Sequence, residues 1–340
     1  MRAVICKLAC LVLILATTSI TEAEAQEPTN KNNDFTLRVV IGAVPGGTFD
    51  LSARIIAKQM PNYLGANWTS VVSNMPGAGS LNAANFVLKN HSDREPMIAA
   101  LASSIIINGL SSPDTAAKFD PTSFEWLGST EAGDIYCLSL KEKEKRREDK
   151  AVFIVGASTV GSPSSMYGNL LKNALGTNTK IVHGYTGGQD MLLAIERNEI
   201  DAFCGFSIGG IEDLWPDRLA AGKLNLIYAF PTGKSRLPDS PGQNVLDFVP
   251  AKDKVAVETF LLQQIFVRPY GVPANMSANM KSALRLAFEK TIASEDFKQA
   301  FARSKTIMNM AKGDEVTTAI RQIVNAPPDT LARIRELISQ

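Results

Sequence analysis

The sequence predicts an α/β protein in two halves, each a mostly parallel sheet flanked by helices. Two observations carry this reading. Apolar strand-like runs alternate with amphipathic helical runs along most of the 340 residues, and the connections are short and glycine-bearing. The alternation also breaks once, at residues 141–150, where all ten side chains are charged with mixed signs, and then restarts. A chain of this length suits two domains of about 100–200 residues each.

In chain order, residues 37–41 read as the first strand. A helix over 51–63 follows, with Leu51, Ile55, Ile56, Met60 and Leu64 at helical spacing. Residues 68–72 read as a strand, 81–88 as a helix and 97–101 as a third strand. The charged run reads as a solvated surface turn, or alternatively as a docking patch for a membrane partner. Beyond it come a strand at 152–155, a helix at 164–175, a strand at 180–182, a helix at 189–198 and a strand at 202–203. A second sheet therefore begins near residue 134. Residues 235–250, rich in Pro, Gly and Asp, read as an irregular loop, and 261–267 as a strand-like run. Helices are expected over 280–293, 294–304 and 314–324. The pair Pro327-Pro328 then stops the pattern before a last helix at 330–338.

The first residues carry Arg2 and Lys7, an apolar run from 8 to 16, and Ala23-Glu24-Ala25 before Gln26. That is the pattern of a secretory signal peptide spanning 1–25, with an apolar stretch too short for a membrane span. The product is expected to be soluble and exported. Net charge is +1, so no basic excess points to nucleic acid as a partner. Beyond the leader, Cys137 and Cys204 both sit in apolar strand-like runs. Two readings stand: a disulfide between neighbouring strands, or two separate buried thiols.

The glycine-bearing turns carry the chemistry. Pro45-Gly46-Gly47-Thr48, Pro76-Gly77-Ala78-Gly79-Ser80 and Tyr185-Thr186-Gly187-Gly188 each follow a strand and open a helix, and Val160-Gly161-Ser162-Pro163 does so without a paired glycine. A helix N-terminus offers orphan N–H groups and a positive dipole end, and small residues let an anion approach them. In the first turn, Asp50 and Arg54 stand four apart and can pair, so Asp50 reads as scaffold, with a ligand contact as the alternative, and the amides of Gly46 to Thr48 remain for the anion. Ser162 followed by Pro163 is a cap-plus-N1 start. Ser158 and Thr159 stand at the C-terminal end of a strand, where open α/β sheets bind ligands. The Walker and G-x-G-x-x-G patterns are missing, as are H-x-x-x-H, C-x-x-C and G-x-S-x-G. The only histidines, His91 and His183, have no evident partner for catalysis. No enzyme activity, metal or cofactor is expected. Phe49, Tyr136, Phe206 and Trp215 read either as core or as walls for an apolar ligand body.

These motifs together resemble the Bug-type periplasmic receptors, the solute-binding subunits of tripartite tricarboxylate transporters. Pro45-Gly46-Gly47-Thr48-Phe49-Asp50 with Arg54 looks like the family's P-G-G-x-x-D…R start, and residues 74–80 look like its N-R-P-G-A-G-G segment with Met75 and Ser80 as substitutions. Val160 to Pro163, Tyr185 to Gly188 and Glu199-Ile200-Asp201 look like its G-x-G-S, Y-K-G and G-Q-V-D elements. The resemblance implies a two-domain Venus-flytrap fold, with domain 1 over 35–133 and 263–340 and domain 2 over 134–262. It implies that Gly46, Gly47, Thr48, Phe49, Ala78 and Gly79 pinch a small carboxylate against Ser158, Thr159, Ser162, Tyr185, Thr186 and Gly187. It further implies a monomer that hands a di- or tricarboxylate, amino acid or aromatic acid to membrane transporter subunits. The alternatives are a periplasmic sensor serving a signalling receptor, and a secreted α/β enzyme, against which the missing nucleophile–base pair stands.

Overall fold

The computed structural model describes residues 35–111, 119–141, 152–232, 242–303 and 309–340. The leader, the charged run beyond Lys141 and the first part of the 235–250 loop fall outside the described residues.

Twelve strands form two six-stranded sheets among the described residues. Sheet I has the order β12-β4-β11-β3-β1-β2. Its members are β1 (Phe35–Ile41), β2 (Trp68–Asn74), β3 (Met97–Ala100), β4 (Phe124–Ser129), β11 (Pro269–Pro273) and β12 (Ala311–Lys312). Sheet II has the order β10-β9-β5-β8-β6-β7. It comprises β5 (Ile135–Leu140), β6 (Phe153–Gly156), β7 (Thr179–Val182), β8 (Ala202–Ser207), β9 (Leu224–Phe230) and β10 (Gln243–Asn244). The α/β class is as expected, but each sheet is mixed. β1 pairs in parallel with β2 and β3, whereas β11 and β12 run antiparallel to their neighbours. In sheet II, β5 runs antiparallel to both β8 and β9. Hydrophobic period reports burial, not strand direction. The antiparallel members are those the chain adds on entering or returning to a sheet.

Helices cover both faces. Alternation along β1 sends Leu37, Val39 and Ile41 to one side, where α1 (Thr48–Gln59), α9 (Ala278–Ala293) and α10 (Glu295–Arg303) bury Ile56, Phe288 and Phe297. Val40 points to the other side, towards α2 (Leu81–Asn90) and α3 (Ser104–Ser111). Sheet II is covered on one face by α4 (Pro163–Leu175) and on the other by α5 (Gly188–Glu196), α6 (Ile208–Leu214) and α7 (Pro216–Ala220). One apolar cluster runs from Ala99 beneath α2 to Cys137 and Met166 beneath α4, so the two halves share core.

The chain crosses between the sheets at 130–134 and at 262–268. Residues 261–267, expected as a strand, are instead the end of α8 (Ala251–Leu261) and a 3₁₀ helix, Leu262–Phe266. A short apolar run buried on all sides has no readable period, and here it continues the preceding helix. The strand starts two residues later, at Pro269. The crossings are zipped together: Val267 N–H donates to Glu131 O at 2.9 Å and Gly133 N–H to Gln264 O at 2.9 Å. After α11 (Gly313–Val324) packs on β4, the last helix, α12 (Pro328–Ile338), lies against α4 and α8. Asn169 Nδ2 donates to Ile338 O at 3.1 Å, fixing α12 there.

Candidate functional site

The site is built from helix starts. In the β1–α1 turn, Gly46 takes φ +87°, which favours glycine, and Gly47 caps α1 with no side-chain cap bond. A Cβ added at Gly46 or Gly47 would meet nothing within 4 Å, so the loop faces open space. Asp50, 4% exposed, accepts from Gly46 N–H at 3.0 Å, Arg54 Nε at 2.9 Å and Asn74 Nδ2 at 2.8 Å. Arg54 Nη2 in turn donates to Asn74 Oδ1 at 2.8 Å, so the first two motifs form one network. Burial alone raises the Asp50 carboxyl, but the bonds from Arg54, Gly46 and Asn74 outweigh it and hold it below the usual carboxylate range. The scaffold reading of Asp50 holds. Gly46 N–H donates to Asp50, which leaves the amides of Gly47, Thr48 and Phe49 as the orphan donors of the helix start. The Thr48 side chain lies outside the described residues.

The same construction recurs on sheet II. Gly187 caps α5 without a side-chain bond, and Thr186 donates through N–H (3.0 Å) and hydroxyl (3.3 Å) to Asp190 in the first turn. Gly187, like Gly47, would meet nothing within 4 Å if it carried a Cβ. Thr186 is therefore occupied as Gly46 is, and the cap and first-turn amides of α5 remain. Tyr185 is half-buried beside Gly156; burial, then the charges of Glu199 and Asp190, push its phenol up, so it stays a neutral donor.

At the start of α4, Ser162 caps the helix by accepting from Ser165 N–H at 3.3 Å, and its hydroxyl meets Ser164 Oγ at 3.1 Å. Ser158 N–H donates to Ser164 Oγ at 3.0 Å. Ser158 and Ser162 are thus gathered around buried Ser164, a residue the sequence reading did not single out, while Thr159 stays exposed.

The β2–α2 turn runs through four successive positive φ values: Gly77 +114°, Ala78 +46°, Gly79 +59° and Ser80 +78°. Two of these are not glycine, so the turn stores strain of roughly 1 kcal/mol or more at each. Ser80 holds it in place: its hydroxyl donates to Gly42 O at 3.0 Å and accepts Ala102 N–H at 3.0 Å. A Cβ at Gly79 would stand 3.7 Å from Gly161 O, and Asn108 Nδ2 of α3 donates to that carbonyl at 2.8 Å. The second and fourth turns, one from each sheet, therefore touch.

The first and third turns are joined through a residue that sequence reasoning missed. Arg268, at the second crossing, places its guanidinium 5.9 Å from the Phe49 ring centroid and its Nε 2.7 Å from Glu131 Oε2. Its Nη2 lies 3.9 Å from where a Cβ on Gly210 would stand, as does Phe206 Cδ1, and the Phe206 ring abuts Gly188 of α5. No local signal marks Arg268, since its partner Glu131 is remote in sequence. Tyr136 (1% exposed) and Trp215 (4%) are core, and Phe206 packs between Phe203 and Trp215 at 5.0 and 5.8 Å. Core packing accounts for these three, and Phe49 lies against the Arg268 guanidinium.

His183 is tied into the wall of α4, with Nε2 2.9 Å from the buried Ser165 hydroxyl and Nδ1 3.2 Å from Gln340 Nε2. Asp201 is structural, accepting Ile154 N–H at 2.9 Å. Cys137 and Cys204 face each other across the β5–β8 pair and are disulfide-bonded.

No family model matches this chain. A UPF0065 protein from the TAR-I ttuE-ttuC' intergenic region of Agrobacterium vitis is 25% identical over 336 residues, covering 95% of this chain and 89% of that one. The structure of the periplasmic binding protein BugD superposes with a TM-score of 0.61 at 18% identity, covering 88% of this chain and 96% of that one. MatC from Rhodopseudomonas palustris, solved with bound malate, gives 0.62 at 17% identity over 89% and 99%. A further R. palustris protein, solved with adipate, gives 0.63 at 16% over 88% and 97%. The chain has the two-sheet fold of the Bug- and TctC-type periplasmic binding proteins, as its motif order implies.

Proposed function

We propose that this protein is an extracytoplasmic solute-binding receptor that captures a small carboxylate between its two halves and delivers it to a tripartite tricarboxylate transporter. The observation that carries this is the repeated construction of α1 and α5. In each, an aspartate in the first turn takes the preceding N–H, and a side-chain-free cap leaves the next amides open to an anion. The carboxylate sits against the amides of Gly47, Thr48 and Phe49 on one side and Gly187 and its successors on the other. Ser158, Thr159, Ser162 and Tyr185 add donors from the sheet II side, and Ala78 and Gly79 shape the wall beside them. Gly46 and Thr186 serve by orienting their loops.

Domain 1 comprises 35–133 with 263–340 and domain 2 comprises 134–262, with α12 laid over α4 and α8. Closure about the two crossings brings both sets of amides onto the ligand, so ligand binding favours the closed form. The protein acts as a periplasmic monomer without catalysis, exported on the leader 1–25. The malate and adipate found with relatives of the same fold support a carboxylate as the ligand class. A thermal-shift panel of dicarboxylates, tricarboxylates, acidic amino acids and aromatic acids tests the reading. At least one carboxylate raises the midpoint by mass action while its amide does not. A shift of equal size with the amide contradicts it.

A further inference from the structure

We propose a second ligand site, on the side of the molecule away from α1 and α5: a cavity of about 550 Å³ that takes a small, neutral, apolar molecule carrying one hydrogen-bond donor. Its walls are α2, α3 and Phe119 on one side, the start of α4 on the other, and the end of α12. The volume falls within the roughly 300–1,000 Å³ of small-molecule pockets. This is not the carboxylate cleft. α2 and α3 cover the face of sheet I opposite α1, and α4 covers the face of sheet II opposite α5. At the boundary with the cleft, Asn108 Nδ2 donates to Gly161 O at 2.8 Å beside Gly79, so α3 and the second and fourth turns close on one another. Of the residues assigned to the carboxylate, the cavity shares only Ala78.

Two observations set the ligand's chemistry. The first is the lining: Leu81, Ile105 and Phe119 from the first half, Val160 and Met166 from the second, and Ile338 of α12. Val160 is 68% exposed, the highest value of any large apolar side chain among the described residues, and an apolar occupant removes that surface from water. Arg335 also lines the cavity but is already engaged within the protein, so it calls for no anion. The second observation is Asn169, 1% exposed and part of the wall. Its Nδ2 donates to Ile338 O at 3.1 Å, which fixes the orientation of the amide, and its Oδ1 is buried and accepts nothing. A buried acceptor left unpaired is destabilising, and the ligand's N–H or O–H supplies the donor. Because the walls come from both halves, occupancy is linked to closure, and the cavity ligand and a cleft ligand change each other's affinity by the same factor.

The test uses indole, an apolar body with one N–H, and 1-methylindole, which keeps the shape and loses the donor. Indole titrated into the full chain and followed by backbone amide NMR should bind with a Kd of about 1 mM or tighter. The amides of Ile105, Met166, Asn169 and Ile338 should shift along one saturation curve. 1-Methylindole should bind about fivefold more weakly, through the lost hydrogen bond. Val160→Trp, which fills the mouth of the cavity from an exposed position, should raise the indole Kd about tenfold or more. Asn169→Ala should bring the two probes to equal affinity, and if that variant does not fold, the wild-type comparison of the probes decides the same point. Four results overturn the inference: no saturable shift with indole, shifts centred on Gly47 and Gly187, equal affinity of wild type for the two probes, or strict competition between indole and a carboxylate. The first three need no carboxylate, so this inference and the receptor reading fail separately.

Discussion

Asp50→Ala removes the acceptor for three donors at once, and its cost follows from what each donor does next. Hydrogen bonds to a charged group contribute about 1.5–3 kcal/mol each. Arg54 is 45% exposed and rehydrates, Asn74 keeps its bond to Ala43 O at 3.0 Å, and Gly46 N–H, on an exposed loop, is taken up by water. The net loss is therefore about 2 kcal/mol rather than the sum, or a Tm lowered by roughly 3 °C in a chain of this length. Asp190 is the internal control: it serves only Thr186, in a more exposed setting, and Asp190→Ala costs about 1 kcal/mol. The sign with pH is also fixed. A carboxyl held below its ordinary range stabilises the fold fully above the unfolded-state pKa and loses that contribution as pH falls through the folded one. Asp253, lowered chiefly by its bond from Arg333 at 2.6 Å, adds to the same acid limb. Thermal melts from pH 7 down to pH 3 should thus show the gap between wild type and Asp50→Ala narrowing at the acid end. A loss no larger than that of Asp190→Ala, or a gap independent of pH, would refute the reasoning.

Three further outcomes are expected. Gly47→Leu, placed where φ is −83° and no atom lies within 4 Å of the new Cβ, should fold with nearly unchanged Tm yet lose carboxylate affinity by about tenfold or more; retained affinity removes the loop from the site. Replacing both cysteines by serine should destabilise by roughly 4 kcal/mol in the loop-entropy account, given their separation of 67 residues, and denatured unreduced wild type should titrate no free thiol. Ser80→Ala should cost about 2–3 kcal/mol in urea melts, since it leaves Gly42 O and Ala102 N–H unpaired while keeping the left-handed backbone.

Local pattern carried most of the fold. The first three strands, the strands flanking the disulfide and the helices at 48–59, 163–175 and 278–293 all stand within a few residues of where periodicity puts them. What it missed depends on distant partners. α8 buries Asp253, Ala256, Val257 and Phe260 on one helical stripe, but the stripe opens with an aspartate whose partner, Arg333, is eighty residues on. β4 carries Glu125 in mid-strand, paired with Lys281 and Arg285 of α9, and so does not read as apolar. At the site, the turns were legible because glycine and cap residues are local signals. The occupancy of Gly46 and Thr186 by aspartates, and the presence of Arg268 between the helix starts, were not, because they depend on how the chain closes on itself.

The central claim, that one carboxylate is held by amides from both halves, is most directly tested by backbone amide NMR during titration with the best ligand of the thermal-shift panel. The amides of Gly47, Thr48 and Phe49 should shift together with those of Gly187, Gly188 and Gln189 along one saturation curve. Shifts confined to one of the two helix starts, or centred elsewhere in the molecule, would contradict it.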